Sequence, residues 1–327
     1  MYVVTGGAGF IGSNVAAGLA ARGEEVVVCD WFRSDERWRN LARHEIADIL
    51  APGDVLDWLR RNRSRVDVVI HMGAISATTE TDVDLIVANN IRSTLNMFDW
   101  CAETQTRLIY ASSAATYGDG SCGFDDAFTP ESLALLRPLN AYGWSKHVVD
   151  RRIARLAQQA QSLPPQWVGL KFFNVYGPNE YHKGSMQSVV AKNYALIKSS
   201  RPLGLFRSYR SDYADGCQLR DFIYVQDCVD VILWLVDHPH VSGLFNLGTG
   251  HARTWLDLAY ALFDAAGQPR AIEFIDMPAP LIEKYQYFTE ACMGRLHAAG
   301  YDHPFTSLED GIAKYVRNYL ATDDPFN

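Results

Sequence analysis

A glycine-rich segment near the start of the chain constrains the fold more than any other feature. Gly6, Gly9 and Gly12 stand three residues apart in the run GGAGFIG, directly after the β-branched and aromatic residues 2–5 and before an amphipathic stretch. After a strand, such glycines allow a tight turn, close approach of the backbone to a pyrophosphate and close packing of the next helix. The helix N-terminus then offers N–H donors to the phosphates. We therefore predict a dinucleotide-binding βαβ unit here.

An acidic residue ends the second predicted strand of this unit. Asp30 lies where a carboxylate can bind the hydroxyl groups of the adenosine ribose. Arg33, Arg37 and Arg39 follow closely and could neutralise the 2′-phosphate of NADP, although they could also form a solvated loop. We predict NADP as the cofactor, with NAD as the alternative.

The first half of the chain alternates short β-branched runs with longer helical patterns, which is typical of a parallel sheet with crossover helices. Strands are predicted at residues 2–5, 25–30, 67–71, 107–111 and 167–172. Helices are predicted at residues 10–22, 55–63, 83–103 and 143–160. The pattern predicts an α/β fold with a doubly wound parallel (Rossmann) sheet.

The second half predicts a second, smaller α/β substrate domain that is interleaved with the first. Its predicted helices cover residues 188–199, 226–238, 256–266 and 308–320. Its predicted strands cover residues 203–206, 222–225 and 244–247. We place the dinucleotide-binding domain at residues 1–175, with a returning segment near 220–248, and the substrate domain at 176–327.

A tyrosine and a lysine four residues apart suggest acid–base chemistry. Tyr142 and Lys146 would share one helix face, and they begin the helix that follows the fourth predicted strand. The same spacing occurs at Tyr194 and Lys198, which lie in the middle of a later predicted helix and are interpreted as packing residues. Position at the ligand-binding edge of the sheet therefore selects the first pair.

The chemistry of the first pair explains its spacing. A phenol with a pKa of about 10 is a poor base at neutral pH, but a neighbouring ammonium and a cationic nicotinamide both favour the phenolate. Tyr142 could then take a hydroxyl proton while Lys146 tunes it. Ser113 follows the fourth predicted strand and is expected to contact the reacting oxygen, although serines at strand ends are often only turn formers.

Charge and composition exclude several other functions. Thirty basic and 38 acidic residues give a net charge of −8, which disfavours nucleic-acid binding. No apolar run approaches the roughly 18 residues of a membrane helix, and no basic leader precedes the first strand. Six cysteines without a CxxC pair suggest neither a metal site nor a disulfide framework. We expect a cytoplasmic protein that acts on a small molecule, with no nucleic-acid or membrane partner.

Several motifs together resemble a known enzyme family. TGGAGFIG, SSAATYG, YGWSK and FNVYGP resemble the extended short-chain dehydrogenase/reductase family, which modifies nucleotide-activated sugars. HMGA, HKGSM, RDF, FNLGTG and YQYFT are similar to its ADP-glyceromanno-heptose 6-epimerase branch, and this similarity covers almost the whole chain. It implies inversion at C6 of ADP-D-glycero-β-D-manno-heptose through a 6-keto intermediate, for the inner core of lipopolysaccharide. It also implies a homo-oligomer, a pentamer.

The resemblance also assigns residues by position. The catalytic residues it implies are Tyr142, Lys183 as a second acid/base, Lys146 and Ser113. The substrate contacts would be Asn174, Ser185, Lys192, Phe206, Arg220 and Tyr285. The cofactor contacts would be Lys146, Lys183 and the residues Gly6, Gly9, Phe10, Ile11, Gly12, Asp30, Trp31, Arg37, Met72, Gly73, Ala74, Ile75, Ser76, Asn89 and Val175.

Some positions depart from the family pattern and keep alternatives open. Lys171, Lys192 and Trp31 replace an arginine, a histidine and an asparagine that are usual there, and the stretch 207–219 is longer. That longer stretch could alter the nucleotide preference. Another NAD(P)-dependent sugar-nucleotide epimerase, or a non-catalytic NAD(P)-binding scaffold, is the alternative function. A 4,6-dehydratase is disfavoured because alanines, at 114 and 115, follow the serine where that reaction needs an acid pair.

Overall fold

The computed structural model describes residues 1–282 and 285–327, which form alternating strands and helices. The strands are β1 (Tyr2–Thr5), β2 (Val26–Cys29), β3 (Asp48–Leu50), β4 (Val68–His71), β5 (Arg107–Ser113), β6 (Trp167–Phe172), β7 (Asn174–Tyr176), β8 (Leu203–Phe206), β9 (Leu219–Tyr224), β10 (Gly243–Leu247), β11 (Ala252–Thr254) and β12 (Ile272–Ile275). The α-helices are α1 (Phe10–Ala21), α2 (Val55–Asn62), α3 (Val83–Ile86), α4 (Ser93–Thr104), α5 (Pro130–Ala134), α6 (Ala141–Gln158), α7 (Val189–Lys198), α8 (Val225–Asp237), α9 (Trp255–Ala266), α10 (Ala279–Ile282), α11 (Gly294–Ala298) and α12 (Leu308–Tyr315).

A seven-stranded sheet in the order β10-β6-β5-β4-β1-β2-β3 forms the centre of the molecule, and every pair of neighbours is parallel. Its central strands are apolar along most of their length because helices cover both faces. Val4 and Val28 pack with α1 and α8 on one face, while Val3 and Val27 pack with α4 and α6 on the other. This arrangement confirms the predicted doubly wound parallel sheet.

The predicted elements correspond closely to the observed ones. The helical pattern at 83–103 is observed as α3, a π-helical turn at Val87–Arg92 and α4 in succession. The strands and α-helices that were not predicted are short, namely β3, β7, β11, β12, α5, α10 and α11. The edge strand β3 has only three residues, Asp48 to Leu50, which is too short for an alternating pattern to predict it.

A smaller set of elements lies beside the central sheet. Strands β11, β9 and β7 form one small sheet, and β12 pairs with β8 in another. Phe222, Leu258 and Ile312 belong to the separate apolar core that these strands form with α7, α9 and α12. Between the small strands the chain returns to the central sheet as β10, so the two regions are interleaved in sequence. The exact domain limits stay a prediction. None of the helices in the described part of the chain is long and apolar enough to cross a membrane.

Candidate active site

The glycine loop between β1 and α1 has no room for side chains at several of its positions, of which Gly6 and Gly12 belong to the predicted motif. Gly6 has a φ of +64°, and a Cβ there would lie 2.6 Å from the backbone nitrogen of Gly73. A Cβ on Gly12 would lie 2.1 Å from the carbonyl oxygen of Gly6. Both glycines are therefore required by the close approach of backbone segments. The loop and the N-terminus of α1 form a cradle of the kind that holds a pyrophosphate.

Asp30 closes the outer end of this cradle. Its carboxylate accepts hydrogen bonds from the backbone N–H groups of Ala8, at 3.0 Å, and Trp31, at 2.7 Å. Arg37 lies 3.8 Å from Asp30 but is bound more closely, at 2.6 Å, to Asp35. Burial raises the pKa of Asp30, and the two N–H groups and Arg37 oppose that shift.

Tyr142 and Lys146 lie on the first turns of α6, which Asn140 caps through a 2.8 Å bond from the N–H of Gly143. Ser113 ends β5. Burial raises the pKa of the Tyr142 phenol, and the nearby Ser113 hydroxyl opposes that rise. Lys146 is buried, and its Nζ has no hydrogen-bond partner among the described residues. Burial lowers the pKa of Lys146 to about 8. An unpaired buried ammonium beside a phenol fits a site that a ligand completes.

A buried charged cluster that the sequence analysis missed lies behind this pair. Asp150 accepts a 2.6 Å hydrogen bond from Ser112 and a 3.2 Å bond from Tyr110. Lys171 is fully buried, lies 3.7 Å from Asp150 and donates to Thr116 at 2.7 Å. The signal was present, because Asp150 is one helical turn beyond Lys146 on the same face.

A second missed residue is Asn90, the neighbour of the predicted Asn89. The buried Asn90 amide accepts from the N–H of Ile75 at 2.8 Å and donates to Ser145 Oγ at 3.0 Å. It lies in the π-helical turn, a distortion often found at functional sites. Asn89 instead donates to the carbonyl of Leu85. Asn90 therefore ties the predicted cofactor segment after β4 to the helix of Tyr142.

Lys183 comes from the short 3₁₀ helix Tyr181–Met186 and reaches the cofactor loop. Its ammonium lies 5.1 Å from the ring centre of Phe10, the first residue of α1. Burial lowers its pKa, Glu180 opposes that shift and Lys192 adds to it. Lys192 in turn donates to the carbonyl of Ser185. The predicted Lys183, Ser185 and Lys192 are thus brought together.

Three predicted substrate residues form an aromatic enclosure around a guanidinium. Arg220 lies 5.0 Å from the ring of Tyr285 and 5.9 Å from that of Trp255. Phe206 faces Tyr285 at 6.3 Å, and the Trp255 indole donates to the Tyr285 hydroxyl at 3.0 Å. Burial lowers the pKa of Arg220. Trp255 was not predicted, and its place on α9 offers no local signal.

Gln286 joins this enclosure to the turn that follows Ser113. Its carbonyl accepts from Arg220, and its side-chain amide donates to the carbonyl of Gly118. Of the other predicted residues, Asn174 is exposed and Val175 half-buried on β7. Met72 to Ser76 follow β4, next to the glycine loop. Because β1, β4 and β5 are neighbours, their following loops share one edge of the sheet.

Comparisons with known proteins agree with this geometry. Residues 2–248 match the NAD dependent epimerase/dehydratase family. The chain is 51% identical, over 99% of both chains, to a protein of Nitratidesulfovibrio vulgaris (strain Hildenborough) named ADP-L-glycero-D-manno-heptose-6-epimerase. A Helicobacter pylori structure of the same name aligns with a TM-score of 0.76 and 26% identity, covering 97% of this chain and 95% of that one. The UDP-glucose 4-epimerase of Thermus thermophilus, solved in complex with NAD, aligns with a TM-score of 0.71 and 26% identity over 95% of this chain and 96% of that one.

The resemblance inferred from the motifs is confirmed by these relatives. The family match covers the glycine cradle, the Tyr142–Lys146 pair and the returning strand β10. This chain belongs to the NAD dependent epimerase/dehydratase family.

Proposed function

We propose that the protein inverts C6 of ADP-D-glycero-β-D-manno-heptose to give the L-glycero isomer, a step in lipopolysaccharide inner core assembly. The observation that carries the proposal is the Tyr142–Lys146–Ser113 group at the sheet edge, in a chain that matches the Nitratidesulfovibrio relative end to end. All six cysteines are free thiols, which is consistent with work in a reducing cytoplasm. The family resemblance favours a homo-oligomer.

The residues of the cradle fit a nicotinamide dinucleotide, and we propose NADP. The Gly6–Gly12 loop would hold the pyrophosphate, and the orphaned Lys146 ammonium would donate hydrogen bonds to the nicotinamide ribose. Each oxygen of the Asp30 carboxylate already accepts a hydrogen bond from a backbone N–H group. Fewer acceptor sites therefore remain for the hydroxyl groups of the adenosine ribose. Arg37 is held beside Asp30, where its guanidinium would neutralise a 2′-phosphate.

Inversion at a secondary alcohol requires redox chemistry, because the hydrogen on C6 is not acidic. A nicotinamide held by the glycine loop and Lys146 would supply the hydride acceptor and donor for C6, and inversion would follow when the planar ketone receives the hydride on its opposite face. Tyr142, as phenolate, takes the hydroxyl proton when C6 is oxidised. Ser113 holds the same oxygen. Lys146 and the buried Asp150 beyond it set the charge around the phenol.

The return step needs a second acid, because the ketone oxygen points elsewhere after the ketone turns over in the pocket. Lys183 is suited to that role, since burial lowers its pKa and so eases release of a proton from its ammonium. Its position over Phe10 brings it to the start of α1, beside the glycine loop. Proton exchange with solvent then restores both groups for the next turnover.

The substrate assignment is tested by incubating the purified protein with ADP-D-glycero-β-D-manno-heptose and, separately, with UDP- and GDP-hexoses, and reading product stereochemistry by NMR. We expect inversion at C6 of the heptose alone. Inversion of a UDP- or GDP-hexose instead would support another sugar-nucleotide epimerase. Bound cofactor without any turnover would support the non-catalytic scaffold.

The two-base assignment is tested with Lys183→Met. We expect loss of net epimerisation while the cofactor stays bound. The ketone can form, but no acid protonates its oxygen when hydride returns to the second face of C6. Lys198→Met, on the exposed end of α7, is the control and should keep full activity. Near-normal turnover by the Lys183 variant would contradict the assignment.

The cofactor assignment is tested by identifying the bound dinucleotide and titrating NADP and NAD into the stripped protein. NADP should bind more tightly, and Arg37→Ala should reduce that preference by about tenfold, the loss expected for a charge-assisted phosphate contact. Equal affinities in the native protein would instead support NAD.

A further inference from the structure

The outer face of α6 carries a concave, strongly basic surface that the proposed reaction does not use. Tyr142, Lys146 and Asp150 mark the face of α6 that looks toward the sheet. Trp144, Val148 and the arginines at 151, 152 and 155 repeat at helical spacing on the other side. With the segment 136–138 they line an open cavity of about 570 Å³, which we name the outer cavity. Its volume is in the range of small-molecule sites.

The charged residues that line the outer cavity are all positive. Four arginines line it, at positions 137, 151, 152 and 155, and none of its described lining residues is an aspartate or glutamate. None of the four forms an ion pair within 4.0 Å among residues 1–282 and 285–327. The whole protein carries a net charge of −8, and arginines elsewhere, such as Arg22, Arg65 and Arg253, do pair with acids. Unpaired arginines in a concavity are the usual receptor for phosphate groups.

His147 gives an independent indication that a ligand completes this cavity. It lines the outer cavity, is 5% exposed, and its Nδ1 has no hydrogen-bond partner in the described part of the chain. Burial, together with the positive charges of Lys171, Arg151 and Arg137, lowers its pKa to about 4. A buried polar atom without a partner is uncommon in native proteins. A bound anion would relieve the crowding of positive charge around the ring.

The walls of the outer cavity distinguish among phosphate ligands. Trp144 is 39% exposed, although large aromatic side chains are usually better covered. Leu136, Pro138 and Val148 continue this apolar surface. An indole beside arginines provides a stacking surface for a ring together with donors for a diphosphate. Inorganic phosphate would bind only the arginine donors and would not use the stacking surface.

We propose that the outer cavity is a second nucleotide-binding site, which takes a nucleoside diphosphate with its base against Trp144 and its phosphates on Arg151 and Arg155. This site is separate from the cofactor cradle and the Arg220 enclosure, and it does not depend on the identity of the sugar substrate. The shared chemistry is the diphosphate, so the test distinguishes ADP from inorganic pyrophosphate.

The experiment is calorimetric titration of the cofactor-loaded protein with ADP, in parallel with Arg151→Ala/Arg155→Ala. The native protein should bind one ADP per chain more than the double variant, because only the outer cavity differs. Loss of two charge-assisted contacts should weaken this site at least about a hundredfold. Arg61→Ala/Arg63→Ala, at the exposed end of α2, is the matched control and should bind as much ADP as the native protein. Equal stoichiometry in the native protein and the Arg151/Arg155 variant would overturn the proposal.

Trp144→Ala separates the base from the diphosphate. We expect it to weaken ADP by about five- to tenfold, in line with a stacking contribution, and to leave pyrophosphate binding unchanged. If native protein binds pyrophosphate as tightly as ADP at this site, the nucleotide assignment is wrong. Sedimentation of the native and double-variant proteins is measured alongside. A change of oligomeric state without any lost ADP would overturn the proposal and show instead that the outer cavity is a contact between copies of the chain.

Discussion

The cofactor cradle and the Arg220 enclosure are built in opposite ways. The cradle is mostly backbone: Gly6, Gly12 and Gly73 meet without side chains, and N–H groups fix Asp30. The Arg220 enclosure is mostly side chain, with Tyr285 and Trp255 arriving from distant parts of the chain. The cradle is therefore determined by a short local sequence, whereas the enclosure exists only once the smaller sheets have folded.

This difference has an energetic side. A Cβ added at Gly6 or Gly12 would collide with backbone atoms. These atoms cannot move without displacing a strand or a helix. In the enclosure the contacts are cation–π interactions, worth about 0.5–2 kcal/mol each depending on desolvation. We expect a single substitution in the cradle to cause a large loss of cofactor binding. Substitutions in the enclosure should cause smaller, graded losses of substrate binding. The group between them, around Tyr142, should show the largest effects because it carries the chemistry.

Tyr142→Phe should produce the largest loss. Removing the phenol oxygen leaves no acceptor for the hydroxyl proton, so the rate of epimerisation should fall by about a thousandfold or more, as for other general bases. The amount of bound cofactor should not change, because the glycine cradle is intact. Stopped-assay NMR and the absorbance of the released dinucleotide measure the two quantities.

Tyr194→Phe is the matched control for that variant, because Tyr194 and Lys198 repeat the same spacing on α7. Tyr194 packs against the separate apolar core of the smaller sheets, in agreement with its interpretation as a packing residue. It should keep normal turnover. Equal activity of the Tyr142 and Tyr194 variants would remove the reason for placing chemistry between the cradle and the enclosure.

Gly12→Ala should be next in size and tests the cradle itself. Its Cβ would sit 2.1 Å from the Gly6 carbonyl, so α1 must move away from the loop. Overpacking of this kind costs about 1–3 kcal/mol, which corresponds to a roughly ten- to hundredfold weaker cofactor complex. Gly53→Ala is the control, since nothing described lies within 4 Å of a Cβ there. Undiminished cofactor in purified Gly12→Ala protein would show that backbone approach does not determine the cradle.

Arg220→Lys tests the enclosure and should have a smaller effect. Lysine keeps the charge but loses the planar group that stacks on Tyr285 and Trp255 and donates to two carbonyls. We expect KM for the sugar nucleotide to rise about tenfold with kcat little changed, measured by initial rates. Arg65→Lys, an exposed residue whose described ion pair is with Glu25, should leave both constants unaltered. A fall in kcat with unchanged KM would place Arg220 in the chemical step.

The same contrast explains what could be predicted from the sequence. The parallel sheet, the glycine loop and the place of Tyr142 follow from local periodicity and from glycines that tolerate no substitute. Asn90 and Trp255 were missed because their roles depend on which segments fold together, and no local pattern records that. Asp150 was missed although its position four residues after Lys146 on α6 was a local signal. Lys183 and Arg220 were identified only through the family resemblance. The 207–219 stretch packs Arg210 against Tyr213 and Tyr287, which sequence alone did not indicate.

Asp150→Asn should have the smallest effect and probes the buried charges behind Tyr142. Lys146 has a pKa of about 8, lowered by burial and raised by Asp150. Its ammonium supports the phenolate below that pKa, and this support disappears as the pH rises through it. Removing the Asp150 charge should lower the Lys146 pKa further, so the alkaline limb of kcat/KM against pH should move to lower pH, by less than about one unit.

Two further variants keep that experiment decisive. Ser112→Ala removes a hydrogen bond that lowers the Asp150 pKa, so it should move the limb in the same direction by less. Asp57→Asn, on the exposed face of α2, should not move it. A limb that stays fixed, or moves to higher pH, in cofactor-loaded Asp150→Asn protein would mean that Lys146 is not the group that titrates. The tuning of the Tyr142 pKa would then have to come from the bound ligands rather than from the buried charges of α6.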